Sequence, residues 1–173
     1  MNDLSSNGRN LMWSGLLAAG GFILGLVLLC IAPFAAVAAV AARTLPVRLA
    51  LATVGAMWLG GQICGFAFHH YPHALSTYAL GAAIAVAALA ATLAVARIRI
   101  LPLAFLAAFA VYEGVQYAFA LVFGGSETFT PAVVFEILEG NVLGFAIFWA
   151  LRLVAAAAGI TPEAKVERKT SAV

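Results

Sequence analysis

The chain has 173 residues, of which 65% are apolar and 9% charged, with a formal net charge of +2 and a mean hydropathy of +1.07. Soluble domains run at about 45–50% apolar and about 25% charged, so this composition excludes a soluble enzyme, a disordered chain and a disulfide scaffold. The small net charge gives no reason to expect a nucleic-acid partner. The partner the composition does imply is a lipid bilayer.

A spanning helix needs about 20 apolar residues. Five runs meet that need: residues 11–42, 46–68, 75–96, 101–123 and 131–157. The reading is an all-α polytopic membrane protein, a compact bundle of about five transmembrane helices forming one domain over residues 1–160. A short polar tail, residues 161–173, follows. Proline punctuates the runs at Pro46, Pro72, Pro102 and Pro131, where a missing N–H costs a helix start nothing. Gly124-Gly125-Ser126 supplies a turn.

The first run is too long for one span and too short for two. It reads as one long helix, kinked or ended near Pro33, with an Ala-rich extension over residues 34–42 that leads into a cytoplasmic loop. Its apolar stretch exceeds the core of a cleavable signal peptide, so it is expected to stay as a span. Cys30 and Cys64 both lie in apolar runs and read as small packing groups.

Lys and Arg stay on the cytoplasmic side of a membrane. With five spans and the N-terminus outside, Arg43, Arg48, Arg97, Arg99, Arg152, Lys165, Arg168 and Lys169 fall inside and only Arg9 outside. The expected location is a bacterial inner membrane, with a cytoplasmic C-terminus. The pairs Gly21/Gly25, Gly61/Gly65 and Gly140/Gly144 let helix backbones approach closely. Trp58 falls in mid-span and reads as core.

The chemistry lies in polar residues within the spans. The fourth run carries Tyr112, Glu113, Gln116 and Tyr117; the fifth carries Glu136, Glu139 and Asn141; the second carries Gln62. By depth they gather between the midplane and the outer surface. No Lys or Arg shares that depth. An ionised carboxylate at the bilayer centre costs at least about 2.5–3.5 kcal/mol. Such groups must carry a proton, face water or meet a cation. The expectation is an acidic pocket open to the outside, with Glu113 and Glu139 at its core and Glu136 at the entry. Gln62, Gln116, Asn141, Tyr112 and Tyr117 would line it.

His69, His70 and His73 stand at the mouth, where imidazoles would suit a divalent metal. The sequence carries no GxSxG, HExxH, CxxC or phosphate-loop motif. Two functional classes therefore lead. One is a binding or transport component for a proton, metal ion or cationic small molecule. The other is an accessory or anchor subunit of a larger membrane complex, including a redox one, with a membrane partner subunit or a second copy of the chain. A membrane enzyme acting on a lipid or isoprenoid is a third and weaker reading.

Overall fold

The computed structural model describes residues 6–28 and 31–158. The expected tail over residues 161–173 and Cys30 lie outside the described residues. Six α-helices follow one another: α1 (Ser6–Val27), α2 (Phe34–Thr44), α3 (Val47–Ala67), α4 (Leu75–Val95), α5 (Leu101–Phe123) and α6 (Pro131–Ala157). Five of them, all but α2, are long and apolar enough to cross a membrane. No strand occurs among the described residues. The proline punctuation holds at three of the four positions: Pro46 precedes α3, and Pro102 and Pro131 lie in the first turns of α5 and α6, whereas Pro72 lies in the loop ahead of α4, which starts at Leu75. Thr130 caps α6 by accepting from Val133 N at 3.3 Å.

The segment over residues 34–42 does not lead into a loop. It forms α2, which has 11 residues and so reaches about 16 Å, roughly half a bilayer core. Every residue over 34–42 is buried. Helix α2 turns back from α1 and runs down the middle of the bundle, against α1, α3, α4, α5 and α6. Its composition explains why. A helix enclosed by five neighbours has no face for a large side chain, and FAAVAAVAA lets each neighbour approach closely.

Helix directions follow from the contacts. Trp13 Nε1 donates to Thr44 Oγ1 at 2.8 Å, and the Ser14 and Thr53 hydroxyls lie 2.7 Å apart. The start of α1, the end of α2 and the first turns of α3 therefore share one end of the bundle. Trp58 Nε1 donates to Gly81 O at 2.8 Å, which sets α4 antiparallel to α3. Gly20 faces Phe148, and Gly144 faces Pro33 and Leu24. Helix α6 thus runs antiparallel to α1 and returns to the starting end.

The first and last described helices therefore begin and end on the same side. The expectation of opposite faces counted five crossings, whereas the described ends, Ser6 of α1 and Ala157 of α6, share one side because the chain returns through α2. All six described arginines now share one end. Arg9 precedes the core of α1, Arg43 ends α2, Arg48 opens α3, Arg97 and Arg99 join α4 to α5, and Arg152 lies near the end of α6. Arg9 is no longer an exception.

Close packing requires glycine where backbones nearly touch. A Cβ on Gly144 would fall 2.6 Å from Pro33 Cβ, and one on Gly140 the same distance from Ile31 Cγ2. These two glycines seat α6 on the α1–α2 turn. Gly21 similarly meets Met57 and Val37. Gly61, by contrast, has open space beside it. Deep hydroxyls bond within their own helices: Thr92 donates to Ala88 O at 2.8 Å, and Thr53 to Leu49 O at 2.7 Å.

Candidate functional site

A half-length helix in the centre of a full-length bundle leaves the other half of the centre to be filled. Side chains fill it only in part. A cavity of about 480 Å³ lies above the first turn of α2, at the end away from the arginines. Ala32 and Phe34 border it from the α2 side, with Phe22, Gly25 and Leu26 from α1. Met57, Trp58, Gly61, Gln62, Cys64 and Gly65 come from α3, and Ser76, Thr77, Leu80, Gly81 and Ile84 from α4. Tyr112 of α5 reaches it, and His69, Tyr71 and Pro72 overhang it from the α3–α4 loop.

Its lining is aromatic and apolar with a few polar groups, the usual make-up of small-molecule sites, which run about 300–1,000 Å³. Phe34 and Tyr112 stack with ring centroids 5.7 Å apart. The loop packs as an aromatic cluster: Phe66 stacks on His73 and on Tyr78, both at 5.3 Å, and meets Tyr71 edge-on at 5.9 Å. His70 takes φ +52°, the left-handed turn that folds this loop back over α3. Gly65 lies directly beneath the Tyr71 ring, with no room for a Cβ.

The residues expected to form one acidic pocket are divided. Gln62 and Tyr112 line the cavity, whereas Glu113, Gln116, Tyr117, Glu136, Glu139 and Asn141 do not. Glu113 is buried on α5 at the level of Tyr112, and neither of its carboxylate oxygens has a hydrogen-bond partner. It belongs to the stripe Phe109, Glu113, Gln116 and Ala120, which continues the side of Phe105, whose ring stacks on Phe145 of α6 at 4.7 Å. Gln116 is half-buried on that stripe. Tyr117 is exposed and meets Phe129 edge-on at 5.4 Å.

Asn141 has a structural task. It is fully buried, its Oδ1 accepts from Ala35 N at 3.1 Å, and its Nδ2 donates to Ile137 O at 3.0 Å. It therefore satisfies a backbone donor at the start of α2, inside the membrane, where no water would do so. Replacement by leucine would leave that N–H unpaired. A loss of about 1–3 kcal/mol is expected, read as a lower unfolding midpoint in detergent.

Turning Asn141 inward turns the α6 carboxylates outward. Glu139 lies two residues away, about 200° around the helix, and Glu136 five residues away, about 140° around. Both are exposed on the outer face of α6. The histidines also fail to converge. His69 overhangs the cavity, His73 Nδ1 lies 2.7 Å from the Tyr78 hydroxyl, and His70 is exposed. Among the described residues no three His, Cys, Asp or Glu side chains gather as a metal-holding group.

The sequence reading expected Tyr112 and Gln62 as lining groups but missed Phe34, Trp58, Ser76 and Thr77. One signal was present: Trp58 and Gln62 are i and i+4 on α3 and share a face. The rest needed the half-length of α2. Among known proteins, no family model, curated protein or solved structure matches the chain.

Proposed function

We propose that this protein is a membrane-embedded capture component that takes a small, uncharged molecule from the non-cytoplasmic side of a bacterial inner membrane. The observation that carries this reading is the 480 Å³ cavity over the first turn of α2. Three features support it. The arginine distribution favours a cytoplasmic position for the opposite end, so the cavity faces outward. Among the described residues the lining contains no Asp, Glu, Lys or Arg, which favours a neutral occupant over the cation expected from sequence. With no nucleotide-binding motif in the chain, onward movement of the ligand falls to a gradient or to a partner.

Gly61 provides the test, since it lines the cavity and has open space beside it. Gly61→Phe should obstruct the cavity from the α3 wall without disturbing the helices. A small molecule should co-purify with the wild-type protein in lipid nanodiscs, detected by mass spectrometry after extraction. It should be lost from G61F at an unchanged unfolding midpoint. Identical extracts from both proteins would refute the capture reading.

A second reading, an accessory subunit of a larger complex, is favoured by one observation. Glu136 and Glu139 are exposed on the outer face of α6, and no described Lys or Arg lies in that half of the bundle. Exposed carboxylates in a span are costly against lipid, so a partner helix carrying basic groups in its outer half would suit them. A partner retained at fixed stoichiometry in mild detergent, and released by Glu136→Gln with Glu139→Gln, would support it. A monomer in native membranes would exclude it.

A further inference from the structure

The ligand class can be narrowed, on the premise that the cavity is a capture site. Its aromatic groups are held in place. Phe34 and Tyr112 are stacked at an interplanar angle of 28°, and Phe34 opens α2, the most enclosed element of the fold. The Trp58 indole is fixed by its bond to Gly81 O. One helical turn beyond Trp58, Gln62 reaches towards α4. A Cβ on Gly81 would fall 2.5 Å from Gln62 Oε1, so glycine at this point is what leaves room for the amide. No hydrogen bond from another described residue engages that amide.

A primary amide in an apolar wall is unfavourable unless its hydrogen bonds are made. Its N–H donor and carbonyl acceptor lie side by side in one plane. The complement is a neighbouring C=O and N–H presented edge-on in the same plane. A lipid chain would leave the amide unpaired. A quaternary cation could meet aromatic faces but would leave the amide unpaired, and no carboxylate among the described lining residues would balance its charge. We infer that the cavity receives a planar, uncharged heteroaromatic molecule with a ring lactam, its flat face against Trp58, its rim over the buried Phe34–Tyr112 pair, and its lactam edge paired with Gln62.

The probe is 2-quinolinone, titrated calorimetrically into the full chain in nanodiscs, with G61F nanodiscs as the blank for partition into lipid. Two comparators dissect it: 1-methyl-2-quinolinone blocks the N–H, and octahydro-2-quinolinone keeps the lactam but loses the flat ring. Wild-type protein should bind the parent compound at least ten-fold more tightly than either comparator. Gln62→Met, which keeps the reach of the side chain without the amide, should erase the preference over the N-methyl compound. The ligand-side comparison holds even if that variant folds poorly. Equal, G61F-sensitive affinity for all three compounds would overturn the lactam assignment and leave capture intact. No G61F-sensitive binding of any of them would also overturn it, and capture would then be decided by the co-purification experiment alone.

Discussion

Replacing Ala38 with leucine should destabilise this protein more than a comparable change in any of the long helices. Ala38 is fully buried near the middle of α2, with fully buried residues on either side. On a helix with a lipid-facing side, extra methylenes can find room by rotating outward. Helix α2 has no such side, because α1, α3, α4, α5 and α6 all pack on it. Overpacking a filled core costs about 1–3 kcal/mol through backbone shifts and strained rotamers. The upper part of that range is expected here. Val86→Leu on α4, a lipid-facing position, serves as the control and should be close to neutral. Thermal unfolding in a single detergent compares the two. If Ala38→Leu melts with the control, α2 is not packed at the centre.

The same helix marks what could be read from the sequence and what could not. The five spans were legible because about 20 consecutive apolar residues have few other uses, and the turn residues confirmed their ends. The long first run was recognised as anomalous and Pro33 as its break. What followed Pro33 was not legible. An alanine-rich stretch of about ten residues has the hydropathy of a span and half its length, and composition alone does not say whether it lies along a surface or fills a centre. The choice matters beyond the segment itself. It adds a return pass, brings both ends of the described chain to the arginine side, and opens the cavity above it. The charge count carried a hint, since Arg9 was a single exception under five passes and is none under six.

The candidate site was legible by depth but not by direction. Glu113, Gln116, Glu139 and Asn141 do lie near the level where α2 begins, as counting along the helices implies. Facing is set by helix rotation, and rotation is fixed by contacts far from the site. Gly140 and Gly144 seat α6 on the α1–α2 turn. That seating points Asn141 at Ala35 and leaves Glu136 and Glu139 outside. The sequence offered no way to choose the asparagine over the carboxylates as the inward group, because a polar residue of either kind is costly in lipid.

Among the described residues Glu113 is the one carboxylate that remains inside, and its replacement should make the protein more stable. It is 8% exposed, and neither carboxylate oxygen accepts a hydrogen bond. Burying such a group without partners costs about 1–3 kcal/mol, more when it is charged, whereas an apolar side chain of similar size at the same place would add packing. Glu113→Leu should therefore raise the unfolding midpoint. Glu113→Gln should fall between the leucine variant and the wild type, since it removes the ionisable group but leaves an amide without partners. The sign of the change is the decisive reading. A drop in the midpoint with leucine would mean that the carboxyl group is engaged in the folded protein and would overturn the reading of Glu113 as a buried group without partners.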